Sequence, residues 1–149
     1  LLANDFIGNT PGLLADGADR VRVEGNRFTR NGWAVRLLAS TSGGEFRGNQ
    51  FAGNSFDVAV NARTVGARFS GNWWDSYRGW DLDRDGTGDV PHHPVRLFAL
   101  LVERAQPALL LQRSLFVRML DAAERVAPVL TPDQVVDNSP RMVRTGGAP

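Results

Sequence analysis

"GNRFTRN" at residues 25–31 returns as "GNQFAGN" at 48–54. A third copy opens with "GNWW" at 71–74, and "NDFIGN" at 4–9 is an earlier one. Asn4 to Asn26 is 22 residues; Asn26 to Asn49 and Asn49 to Asn72 are each 23. Self-similarity at such a period marks a stacked repeat rather than an ordinary domain. Laid at this spacing, six columns agree in one register. Phe6, Phe28, Phe51 and Trp74 share one, Asn9, Asn31 and Asn54 a second, and Val23, Phe46 and Phe69 a third. Trp33 aligns with Phe56, Val35 with Val58, and Leu37 with Val60.

Within each copy, apolar residues stand two apart, as in Val21/Val23 and Val58/Val60, which is the period of a short strand. Short alternating strands joined by Gly-Asn turns predict a mainly β fold. The predicted architecture is a right-handed parallel β-helix of about three to four coils over residues 1–76, each stacked about 4.8 Å from the last. A β-sandwich with coincidental Gly-Asn turns would not bring so many columns into one register. The aromatic columns then fill the interior. Asn at the corner tolerates a left-handed backbone, and its amide can bond the same amide one coil away. Gly25, Gly48 and Gly71 supply positive φ. Opposite charges face across coils in the column Arg22/Glu45/Arg68 and at Glu24 over Arg47.

Composition narrows the function. All 17 basic residues are Arg, so lysine chemistry is excluded, and the net charge of +1 gives no general field for nucleic acid. With no Cys, disulfides and thiolate metal sites are excluded too. No apolar run is long enough to span a membrane. The chain opens Leu-Leu-Ala without Met, which reads as a mature or excised piece. At the repeat offset Asp57 lies over Ala34 and Glu45 over Arg22, so no two solenoid carboxylates stack into an acid/base pair. Trp33 reads as core; sugar contact through Trp33 and Trp73 is the alternative.

The repeat stops at Trp74, and residues 77–94 form a second region. Asp81, Asp83 and Asp85, then Gly86, Thr87 and Asp89, spell D-x-D-x-D-G-x-x-D, the first nine positions of a calcium loop. Ca²⁺ takes about six to eight oxygens, and alternate side chains of a tight loop converge on one point. The last position holds His92 instead of a bidentate Glu, and no helix pattern precedes the loop, so this is not an EF-hand. It reads as a free-standing calcium loop with a further ligand from elsewhere, such as Asp75, or else as an unmetallated turn. His92 and His93 follow as a separate pair.

Residues 95–149 read as a helical segment with a tail. Helices are predicted over 95–127, with Pro107 opening the second and Ser114, Arg118, Asp121 and Arg125 as its thin polar stripe. Thr131 to Gln134 reads as a capping box, and the end of the chain as a frayed tail. So much apolar surface predicts a cap on the coil end whose outer face docks on a partner. The docking candidates are Leu97, Phe98, Leu101, Leu115, Phe116 and Leu120.

Gly-Asn coils followed by "NWWDSYRGWDLDRDGTGDVPHHPV" (72–95), "LVER" (101–104) and "AERVAPVLTPDQVVDNSPRM" (123–142) resemble the C-terminal portion of the NosD family. The tail from Pro94 to Met142 is the specific part; the coils occur in many solenoids. The resemblance implies a periplasmic, non-enzymatic protein, peripheral to the membrane, that handles copper for the maturation of nitrous oxide reductase. It also implies an ABC transporter of permease and ATPase subunits and a copper chaperone lipoprotein as partners, with 95–127 and the "PRMVR" stretch facing the transporter. No family motif assigns copper ligands here. His92, His93, Met119 and Met142 are candidates by ligand chemistry alone. The alternatives are a carbohydrate-binding or carbohydrate-active β-helix and a calcium-stabilised adhesin-like module.

Overall fold

A three-residue strand makes too few ladder bonds to persist by itself, so strands this short must be held by neighbours on both sides. The computed structural model of the chain describes residues 1–38, 43–60, 66–95 and 135–144. It has β1 (Asp5–Ile7), β2 (Leu13–Ala15), β3 (Arg22–Glu24), β4 (Arg27–Thr29) and β5 (Trp33–Leu37). β6 (Glu45–Arg47), β7 (Gln50–Ala52), β8 (Phe56–Val60), β9 (Arg68–Ser70) and β10 (Trp73–Trp74) follow. Three sheets result, ordered β1-β4-β7-β10, β2-β5-β8 and β3-β6-β9. Every strand pairs in parallel with the strand one repeat away. Consecutive strands belong to different sheets, so the chain visits three faces per turn, the arrangement of a parallel β-helix.

The register is the one the repeat dictates. Phe6 faces Phe28, Phe28 faces Phe51, and Phe51 faces Trp74. The rings stack with centroids 4.8, 5.1 and 4.1 Å apart. Phe46 and Phe69 stack at 4.5 Å in the second column. Val23, Phe28, Phe46 and Phe51 are fully buried, and together with Val35, Leu37, Val58 and Trp74 they make one continuous core. Trp33 is an exception to the core reading. It is half-buried, stacks on Phe56 at 5.5 Å beneath the Arg36 guanidinium, and stands outside the core cluster.

Two asparagine ladders run along the coil. In the first, the backbone N–H and Nδ2 of Asn26 both donate to Asn49 Oδ1, at 2.9 and 3.1 Å. Asn49 donates in the same way to Asn72. Asn26, Asn49 and Asn72 are fully buried, so these bonds satisfy groups that would otherwise be costly to hide from water. The second ladder links Asn9, Asn31 and Asn54, and ends where Asn54 Nδ2 donates to Asp57. The left-handed corner residues are the glycines expected to supply positive φ, one position before each Asn, and the left-handed tolerance of Asn itself is not used at Asn26, Asn49 or Asn72. Gly25, Gly48 and Gly71 have φ near 62°, and Ala3 takes φ 52° in the first coil. Placing the glycine there leaves each Asn free to aim its amide along the axis.

The charge columns face as the repeat requires, Arg22 with Glu45 and Glu45 with Arg68. The close ion pairs Arg22–Glu24 and Arg47–Glu45 nevertheless run along single strands. Among the described residues Asp5 and Arg27 pair across coils, with contacts of 2.9 and 2.6 Å. That pair holds the Asp5 carboxyl below the usual carboxylate range, the Arg27 hydrogen bond being the main cause.

Within the segment 95–149, read as helical with a frayed tail, the described residues 135–144 are not helical. They form an extended strap laid across the end of the coil. Asp137 bridges β9 at Phe69, and Arg141 bridges β10 at Trp73, both in parallel. On its other side the strap bridges the acidic region antiparallel, Asp137 to His92 and Arg141 to Thr87. The strap therefore occupies the next layer of the solenoid, between the last coil and residues 87–92. The buried backbone edge of β9 and β10 needs partners, and a later stretch of chain provides them. The helices expected over 95–127, apart from Val95, and the capping box at Thr131 lie outside the described residues.

Candidate metal site

The acidic region is anchored by Tyr77, whose hydroxyl donates to the Val90 carbonyl at 2.7 Å. Gly79 and Gly88 flank its ring, and a Cβ at either would fall inside it. Burial is the main cause that pushes the Tyr77 phenol up, with the negative charges of Asp89, Asp137 and Asp81 adding to it.

From this anchor the loop closes on itself. Asp81 accepts from the backbone N–H groups of Asp85 at 3.1 Å and Gly86 at 2.9 Å. Asp83 accepts from Asp85, Asp85 from Thr87, and Asp89 from Leu82. Gly86 takes φ 86°, the sharp bend that this position of the motif calls for. The result gathers ligand oxygens of Asp81, Asp83 and Asp89 within 4.8 Å of one another. Asp85 belongs to the same turn but stands outside that convergent carboxylate set. The Asp85 amide bond draws the Asp83 carboxyl down. The charges of Asp85 and Asp89, the Asp81 hydrogen bond and desolvation outweigh it, so the group titrates above its ordinary value. Three convergent carboxylates that repel one another favour a hard cation, which removes the repulsion.

The histidines go elsewhere. The His92 ring lies 4.9 Å from Trp74 and edge-on to Tyr77 at 5.7 Å, while its backbone exchanges two hydrogen bonds with Asp137. His93 is half-buried beside it. Met142 sits on the strap, partly exposed, with its amide on the Gly86 carbonyl at 3.0 Å. Met119 and the docking candidates Leu97, Phe98, Leu101, Leu115, Phe116 and Leu120 lie outside the described residues. Trp73, the second sugar-contact candidate, is half-buried under the Arg144 guanidinium.

Asp137 is the residue that sequence reasoning missed. Its carboxylate is fully buried and ends the first asparagine ladder. Oδ2 accepts from the backbone N–H and Nδ2 of Asn72, at 3.0 and 2.9 Å, and from Trp74 Nε1 at 3.2 Å. Oδ1 accepts from Gly71 N–H at 3.2 Å and Ser139 N–H at 3.1 Å. A ladder of stacked amides leaves donors at its last member, and that requirement was the available signal. Asp137 lies 65 residues beyond Asn72, so no repeat spacing pointed to it.

These features define a β-helix scaffold whose end is closed by a returning strap and carries a convergent carboxylate loop. Residues 1–79 match the family described as Periplasmic copper-binding protein (NosD), and the chain belongs to the NosD family. It is 32% identical over 140 residues to a protein named "Probable ABC transporter binding protein NosD" from Pseudomonas aeruginosa. A protein of the same name from Stutzerimonas stutzeri matches to the same degree. Each match takes in 93% of this chain and 28% of the relative, so the chain spans just over a quarter of the length of these relatives. Both are named as binding proteins. The family description places the protein in the periplasm.

Copper, which the family description implies, calls for imidazole or sulfur donors. Among the described residues, the one group of three or more convergent His, Asp or Glu ligands is Asp81/Asp83/Asp89, and neither histidine joins it. An all-carboxylate set suits calcium or magnesium rather than copper. That carboxylate cluster is therefore not a copper site.

Proposed function

We propose that the chain is part of a non-enzymatic periplasmic accessory protein that passes copper, as cargo, toward nitrous oxide reductase while docked on an ABC transporter. The observation that carries this reading is the extent of the similarity. It runs over 140 residues, through the C-terminal stretch that polysaccharide-binding coils do not require, to relatives named for binding an ABC transporter. The coil supplies a rigid spacer, right-handed as parallel crossovers nearly always are. The apolar residues of 95–127 supply the contact with the permease and its ATPase, and a chaperone lipoprotein supplies the copper. His92, His93, Met119 and Met142 remain the residue-level proposal for transient copper contact. A strain without this gene should accumulate reductase lacking copper, measured as metal content of the purified enzyme. Full copper loading in that strain would remove the chain from the maturation route.

The acidic loop takes a hard cation, most favourably Ca²⁺, through Asp81, Asp83 and Asp89, with the Thr87 carbonyl as a further ligand and Asp85 shaping the turn. The cation stabilises the closed end of the coil and plays no part in copper transfer. Calcium should raise the melting temperature by mass action on the folded state, and Asp83→Ala should abolish the rise. Identical melting curves in EDTA and in excess calcium would leave the loop as a turn only.

A further inference from the structure

We infer that the end of the solenoid is a strand-acceptor site selective for an aspartate-bearing extended segment, and that residues 135–144 fill it as a releasable strap. The acceptor is built before the strap arrives. Gly71 N–H, Asn72 N–H, Asn72 Nδ2 and Trp74 Nε1 all belong to the last coil, and all point at one carboxylate. Three of these donors meet Oδ2, while Gly71 N–H is shared between Oδ1 and Ser139 Oγ, both at 3.2 Å, and Oδ1 also accepts from Ser139 N–H, so both carboxylate oxygens face N–H donors. An asparagine side chain offers one such oxygen, and would turn an N–H₂ toward N–H donors in a buried site. The Asn72 carbonyl beside them accepts from the Arg141 amide at 2.8 Å, which fixes the direction of the incoming strand.

The grip on the strap is specific yet shallow. Coils are held to one another by continuous strand pairs and stacked rings, whereas the strap makes isolated bridges at Asp137 and Arg141. Val135 is its one buried residue in the hydrophobic core, while Val143 is 71% exposed and Met142 37%. Val135 being its one side chain in that core among the described residues, the strap is the part of the closed end held with least apolar contact of its own, and we place it toward the low-stability end of the fold.

Release would change the loop as well as the coil. The Gly86 carbonyl loses the Met142 amide, Gly88 N–H loses the Pro140 carbonyl, and His92 loses both backbone bonds to Asp137. A partner strand carrying an aspartate would thus displace the strap, and with it unlatch the acidic loop and the first histidine. This inference stands on the strap geometry and is independent of the copper reading above.

The test uses the full chain carrying Asp137→Ala and a labelled peptide, Val-Val-Asp-Asn-Ser-Pro-Arg-Met-Val-Arg, the sequence of residues 135–144. The peptide should bind this variant at least about ten-fold more tightly than does the same peptide with Asn for Asp, a difference of about 1.4 kcal/mol. It should bind the unaltered chain more weakly, because that chain fills its own site. Equal binding of the two peptides, or equal binding to both proteins, overturns the proposal. Hydrogen exchange on the unaltered protein provides a test that needs no variant. The Asp137 and Arg141 amides should exchange at least about a hundred-fold faster than those of β4 and β7, through strap opening alone. Exchange of the strap, β4 and β7 at one common rate would mean that the strap leaves only when the coil unfolds, and the proposal fails.

Discussion

Phe51→Ala should lower the unfolding free energy by about 3–5 kcal/mol, the cost of removing a fully enclosed aromatic side chain. Phe51 is completely buried and stacks on Phe28 at 5.1 Å on one side and Trp74 at 4.1 Å on the other. Truncation removes its transfer free energy, leaves a cavity between two coils and breaks both ring contacts. The neighbours cannot collapse into the gap, because their spacing is fixed by the strand ladder at Gln50–Ala52. Equilibrium denaturation followed by circular dichroism gives the number. A loss below about 1 kcal/mol would mean that the ring is not enclosed by the coil, contrary to the stacked column.

The coils were legible because a stacked repeat writes its contacts into sequence spacing. Phe28 over Phe51, Val35 over Val58 and Arg22 beside Glu45 all follow from a shift of 23 residues. The acidic loop was legible as a motif, since alternate carboxylates before a glycine encode their own turn. Its convergent subset was not, because whether Asp85 joins Asp81, Asp83 and Asp89 depends on how the turn closes. The strap was illegible for a different reason. Its contacts, Asp137 to Asn72 and Arg141 to Thr87, span long and unrelated separations. Pattern reasoning assigns such a segment by local propensity, and Pro140 beside polar residues reads locally as a tail. Trp33 misled for a similar reason. Its column matches Phe56 in chemistry, but its half-burial and its place outside the core cluster were not written in the spacing.

The transporter contact proposed for the apolar C-terminal stretch should be lost when charge is placed there. Leu115 and Phe116 stand in a segment that is mostly apolar in sequence. Burying an unpaired carboxylate at a protein interface costs several kcal/mol, so two of them should weaken binding by more than about a hundred-fold. Asp residues at these positions should leave the coil intact, because the aromatic columns and asparagine ladders of residues 1–74 are built from other side chains. The measurement is co-elution of the full protein with the purified permease–ATPase complex on size exclusion, with the coil checked by circular dichroism. The unaltered protein should co-elute, and a folded Leu115→Asp/Phe116→Asp variant should elute alone. Co-elution of the folded double variant, or failure of the unaltered protein to bind the complex, would contradict the account.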